Sequence, residues 1–251
     1  MSTTAFHKLP EIAISFWIMK ICATTLGETG GDLLAQTMKV GYAISSLIFL
    51  GFFFLMFFIQ IVSKKYNPII YWLVIIATST AGTTISDFMD RTLGLGYAKG
   101  SFILVALLIL ILGIWRLTEK SISVTQIQSV RAESFYWVAI LFSNTLGTAL
   151  GDFLSDDSGL GFAGGAVLIG SLLLLIILAH YFTTFSKVVL FWLAFILTRP
   201  FGATFGDFLT KPTDQGGLNI GTAFSSIFLS LVILALMYRE IRHLNHRQNL
   251  T

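Results

Sequence analysis

The sequence predicts an all-α integral membrane protein with eight transmembrane helices. They form four parallel-oriented helical hairpin repeats around a pseudo-symmetry axis along the membrane normal. Three observations lead there. The first is composition: of 251 residues, 55% are hydrophobic and 12% charged, with a mean hydropathy of +0.82, values of membrane rather than globular chains. The second is a repeat, in which an aspartate follows a tryptophan by fifteen residues at Trp17/Asp32, Trp72/Asp87, Trp137/Asp152 and Trp192/Asp207. The third is placement. Each aspartate lies in a segment that otherwise reads as membrane-spanning, where a charge is costly and points to function.

The first unit covers about 11–62. Its first helix carries TTLGETGGD (24–32), and after the turn KVGYA (39–43) the apolar stretch 44–62 forms the second. Lys8 ahead of the apolar run 12–19 has the look of a signal peptide, but Lys20 interrupts that run. The segment is also in register with three later helices, so it is expected to be retained. The second unit, 68–117, carries STAGTTISD (79–87), the turn GLGYA (94–98) and the apolar stretch 101–115. A polar linker at 118–133 absorbs the extra length in the 55, 65 and 55-residue spacing of the aspartates. The third unit, 134–182, carries NTLGTALGD (144–152), GLGFA (159–163) and 167–182. In the fourth, 187–240, RPFGATFGD (199–207) is followed by an insertion-like 211–216, so that the turn GLNIG (217–221) arrives three residues late. A basic tail, 241–251, closes the chain. The apolar windows approach the length needed for a hydrocarbon core of about 30 Å. No polar stretch is long enough for a soluble domain, so 1–251 is expected to form a single membrane domain.

Each repeat crosses twice, so all four enter the membrane with one orientation, unlike the inverted repeats of many transporters. The face with both termini carries Lys8, Lys64, Lys65, Arg116, Lys120, Arg131, Lys187, Arg239, Arg242 and Arg247, against Lys39, Arg91, Lys99 and Lys211 opposite. The imbalance places both termini in the cytoplasm and the aspartates in the outer half of the membrane. The tryptophans then serve as interfacial anchors or packing groups. His243 and His246 extend the basic tail, a topology determinant facing anionic lipid rather than a metal site. Asp90, Asp156, Asp157 and Asp214 read as solvated outer loop charge, or as a cation-concentrating mouth. A formal charge of +3, dispersed along the chain, gives no reason to expect nucleic acid as a partner. Cys22 stands alone, which excludes an intramolecular disulfide and a cysteine-based zinc cluster. With no nucleophile elbow, P-loop, zinc-protease or dinucleotide signature, neither enzymatic activity nor a cofactor is expected.

The candidate site is cation- or proton-binding. Thr25, Glu28, Thr29 and Asp32 share one helix face by their spacing, and Gly27 and Gly31 have the small-xxx-small spacing of closely approaching helices. The other units supply Thr80, Thr84 and Asp87, then Thr145 and Asp152, then Thr204 and Asp207. If the four first helices surround the axis, Asp32, Asp87, Asp152 and Asp207 form a ring of hard oxygen ligands suited to sodium, protons or divalent metals. Glu28 stands where the other units have Thr83, Thr148 and Ala203. Lys20 and Arg199 lie deeper, as internal counter-charges that either neutralise an acid or form a cationic plug. The competing reading makes the aspartates caps of broken helices.

On these motifs, W-x14-D in every unit and G-[ETA]-[TA]-x-[GS]-D at 27–32, 82–87, 147–152 and 202–207, the chain resembles a family of bacterial membrane proteins built from a tandem repeat of unknown function. Its members carry four copies, each with two transmembrane stretches and a characteristic tryptophan. The resemblance implies a polytopic inner-membrane protein and supplies no activity. E-T-G-G-D at 28–32 also resembles the E-x-G-D signature of a family of cation/proton exchangers, with one residue more and with Leu33 and Leu34 where a basic residue and a Ser or Thr follow. The expectation is a secondary transporter of a small cation, a divalent metal or sodium, exchanged against protons. Its partners are the cation, protons and membrane lipids, and a homo-oligomer remains open. The alternatives are a channel using the same ring, a transporter of a small polar solute, and a non-transporting scaffold or sensor.

Overall fold

The hydrophobic pattern resolves into two concentric sets of helices. The computed structural model describes residues 9–124, 127 and 129–248 in eight α-helices: α1 (Ile14–Asp32), α2 (Tyr42–Val62), α3 (Pro68–Asp87), α4 (Tyr97–Glu119), α5 (Val130–Asp152), α6 (Gly161–Phe182), α7 (Lys187–Thr210) and α8 (Thr222–Gln248). Lys8, linker residues 125, 126 and 128, tail residues 249–251 and the side chain of Arg247 lie outside the described residues. No strand occurs among the described residues. Seven helices, α2 through α8, are long and apolar enough to cross a membrane, which makes this a multi-pass membrane protein. The linker is shorter than 118–133, because α4 runs on to Glu119 and α5 begins at Val130, where Ser129 caps the helix by accepting from the Ala132 amide. Residues 241–248 of the basic tail likewise continue α8.

The first helix of each repeat packs on its neighbours in a closed ring: α1 on α3, α3 on α5, α5 on α7 and α7 on α1. Glycines make the close approach possible. A Cβ at Gly27, Gly82, Gly147 or Gly202 would collide with Ser79, Asn144, Arg199 or Thr24 respectively, so one repeat position meets one partner position at all four contacts. The second helices lie outside. Only 17–28% of the membrane-length windows of α2, α4, α6 and α8 is buried, against 50–72% for α3, α5 and α7, and residues such as Leu47, Phe54, Phe102, Leu174 and Leu231 are left exposed for lipid.

Each outer helix packs chiefly on the first helix of the following repeat rather than on its own: α2 on α3, α4 on α5, α6 on α7, and α8 back on α1, with only a slight contact to α7. The turn between them explains the offset. Lys39, Gly94, Gly159 and Asn219 take positive φ (58°, 70°, 79° and 55°), and two residues later Gly41, Gly96, Gly161 and Gly221 do so again (84°, 72°, 67° and 86°). Such a double left-handed turn favours glycine or asparagine. It also corrects the register of the fourth unit. NIGTA (219–223), not GLNIG, matches KVGYA (39–43), so the turn arrives five residues late rather than three.

Between aspartate and turn, three units insert a π-helical stretch: Leu33–Thr37, Phe88–Thr92 and Phe153–Asp157. Its i→i+5 bonds are explicit in Met38 N–H to Leu33 O (2.8 Å) and Leu93 N–H to Phe88 O (2.9 Å). The fourth unit continues as α-helix to Thr210 instead.

Candidate functional site

Residues taken four apart along each ring helix line the interior. On α1 they are Phe16, Lys20, Thr24, Glu28 and Asp32, and all are buried, as are their counterparts on α3, α5 and α7. The result is a column of stacked layers, each with one residue from every repeat.

The innermost layer is aromatic. The Tyr71 and Tyr136 hydroxyls hydrogen-bond each other at 2.8 Å, Phe16 and Phe191 face one another across 6.5 Å, and Trp72, Trp137 and Trp192 pack around them. The tryptophans therefore pack the core. Trp72 also donates to Glu240 (3.3 Å) and Trp192 to the Ile122 carbonyl (3.0 Å).

One turn further, Lys20 is wholly buried, with its ammonium 3.3 Å from the Asn144 amide oxygen and 4.1 Å from the Phe195 ring centre. Neither partner is an acid, so Lys20 does not serve as a direct counter-charge.

Arg199 does. Its guanidinium crosses the column to the Glu28 carboxylate at 3.0 Å. It donates as well to the hydroxyls of Thr83 and Thr148 (2.6 Å to the latter) and to the Thr24 carbonyl at 3.3 Å. Thr83 donates to Glu28 in turn (3.3 Å). Glu28, Thr83 and Thr148 occupy one repeat position, so three repeats converge on the one arginine carried by the fourth.

Above this plug lie the four aspartates, buried as a ring. They are neutralised in pairs. Arg91 contacts Asp87 (2.8 Å) and Asp152 (3.3 Å), while Lys211 contacts Asp32 (2.8 Å) and Asp207 (3.2 Å). Both bases follow an aspartate by four residues, at the position that Gln36 and Asp156 hold in the other repeats. Gln36 donates to Asp32, and Asp156 lies 3.7 Å from Arg91. Sequence reasoning missed Arg91, Lys211, Thr83 and Thr148. The i, i+4 spacing of Asp87/Arg91 and Asp207/Lys211 was the signal that would have found the two bases.

The threonines singled out by spacing are placed otherwise. Thr25, Thr80, Thr84, Thr145 and Thr204 donate to carbonyls of their own helices three or four residues back. Thr29 donates to the Leu26 carbonyl and receives Ser226 of α8. Among the described residues none of the six hydrogen-bonds a carboxylate. Asp90 is not solvated loop charge: it is buried, receives the Ser86 hydroxyl (3.3 Å) and fits under α4 only because residue 100 is glycine. Asp156, Asp157 and Asp214 are exposed.

Chemically, one quarter of the ring stands out. Carboxylate oxygens of Glu28, Asp32 and Asp207 all lie within 4.8 Å of one another, and all three residues are buried. Three hard anionic ligands so close suit a cation, a place now held by the Lys211 ammonium on the ring side and by Arg199 beneath. No curated protein and no solved structure matches the chain. The family model described as Repeat of Unknown Function (DUF347) matches residues 15–66, 70–121, 135–185 and 190–242, and with most of the sequence covered by four tandem copies, the chain belongs to that family.

Proposed function

We propose that this protein is a secondary transporter of a small cation, a divalent metal or sodium, exchanged against protons. The observation that carries the reading is the convergence of Glu28, Asp32 and Asp207 within 4.8 Å in a buried site. The remaining ring members, Asp87 and Asp152, extend the acidic lining. Five buried carboxylates facing so few bases favour exchange of one positive species for another, because an empty site would leave charge uncompensated. Arg199 lies across the column and contacts three of the four ring helices, which favours an alternating carrier over a channel with a continuous pore.

In this reading α1 spans the membrane with the other seven helices, since it occupies the same ring position as α3, α5 and α7. The four repeats surround an axis along the membrane normal, the aspartates face outward, and the basic linker and tail hold both termini in the cytoplasm of a bacterial inner membrane.

The test is proton flux in proteoliposomes carrying an internal pH dye, challenged with sodium, potassium, magnesium, calcium and manganese in turn. Cation-driven proton movement that is lost in Glu28→Gln and Asp207→Asn supports the exchanger. Silence toward every cation from folded protein removes it, in favour of a small polar solute or a scaffold.

A further inference from the structure

Lys20 is the buried base that the carboxylate chemistry leaves unused. It is completely enclosed, and its hydrogen-bond partner is a neutral amide whose own NH2 is committed to Thr78 (2.9 Å). The Phe195 ring offers only a weak cation–π contact. Among the titratable groups of the surrounding helices, one repels it and the others are committed elsewhere. Arg199 of α7, one layer above, repels its charge. Glu28, on α1 itself, is held by that same arginine. Neighbouring α3 brings the hydroxyl of Tyr71, which is tied to Tyr136 of α5. Glu240 of α8 is engaged by Tyr66 and Trp72. The column above Lys20 sets five buried carboxylates, Glu28 and the four ring aspartates, against the three bases Arg199, Arg91 and Lys211, so the balance that faces it is negative. A second buried positive charge with no anion of its own is tolerated only while the balance nearby stays negative.

We propose that Lys20 carries the exchanged proton and that cation entry expels it. This rests on the cation reading of the Glu28, Asp32 and Asp207 site. A cation bound there takes up the charge of Glu28 and leaves Arg199 uncompensated beside Lys20. The N–H bond of the ammonium then breaks with its electron pair kept on Nζ, and the proton passes to water on the inner side of the column. When the cation leaves, the amine takes a proton back. The two sites are coupled through Arg199 and share no ligand.

The experiment follows proton release from purified protein in weakly buffered detergent, titrated with manganese, calcium and sodium chloride in turn. A second readout is the 15N signal of Lys20 Nζ, assigned by its loss in Lys20→Met. Wild-type protein is expected to release protons as it binds the cation, with Nζ passing from ammonium to amine. Lys20→Met and Lys20→Arg are expected to release about one proton fewer per bound cation. Unchanged release in a folded Lys20→Met, or an Nζ that stays ammonium at cation saturation, overturns the proposal. If Lys20→Met does not fold, Lys20→Arg and the Nζ signal decide it. If wild-type protein binds no cation, the transporter reading fails separately. A pH titration of Nζ then decides Lys20: conversion between ammonium and amine supports its proton-carrying role, and an unchanging ammonium ends it.

Discussion

Arg91 and Lys211 occupy one position in two repeats, and each bridges two aspartates from adjacent ring helices. The halves they close are otherwise different. On the Arg91 side the guanidinium is a permanent charge with a rigid fork of donors, 33% of the side chain is exposed, and a third acid, Asp156, approaches from the surface. On the Lys211 side the ammonium is a point charge on a flexible stem, 18% exposed, and the third acid is Glu28 below it, held by Arg199. Burial works against the charge of Lys211, but Asp207 and Asp32 outweigh it and hold the ammonium above the ordinary lysine range. In the proposed exchange Lys211 would therefore have to be displaced with its proton still on it, since it keeps its charge at neutral pH. One half is built to stay closed, and the other resembles a site whose occupant is replaceable.

Substitutions break or sharpen that contrast. The largest effect is expected beneath the Lys211 half. Arg199→Met strands Glu28 in the interior and should cost about 3–5 kcal/mol of stability in detergent unfolding. Adding Glu28→Gln should return a good part of it, and strict additivity of the two would show that the pair is not coupled. Arg91→Met should cost about 2–3 kcal/mol, less because the site is partly solvated, and added cation should not restore it. Lys211→Met should also cost about 2–3 kcal/mol without cation, because it leaves Asp32 and Asp207 unpaired in the interior. Here cation should restore stability, by about 2.7 kcal/mol at a hundredfold excess over Kd. Equal responses of the Arg91 and Lys211 variants to cation would erase the distinction. The smallest effect is expected for Asp156→Asn, about 0–1 kcal/mol, because its pair with Arg91 is exposed.

Much of this architecture was legible in the chain because repetition makes it redundant. The Trp and Asp landmarks, the glycine spacing and the helix pairs follow from local pattern, and the ring of aspartates follows from their register. What escaped depends on neighbours in space. Nothing local distinguishes α2 packing on α1 from α2 packing on α3. That choice is set by the two positive-φ residues of the turn, and two of the four turns hide it by using Lys39 and Asn219 in place of glycine. The threonine stripe misled because a helix offers its own carbonyls to a hydroxyl before any ligand arrives, whereas Thr83 and Thr148 are drawn inward by the arginine of another repeat. Arg91 and Lys211 read as topology charges on the outer face, and only the geometry shows that they turn back onto the ring.

The offset between inner and outer helices means that no repeat is complete by itself. During synthesis α1 lacks its outer cover until the last helix, α8, arrives to pack on it, so a chain halted after the third repeat leaves one ring helix uncovered. The same geometry leaves the finished protein without a seam. The α8-to-α1 contact is built like the other three, and a chain rejoined between its present ends and opened in the linker after Glu119 would assemble the same ring from a different starting point.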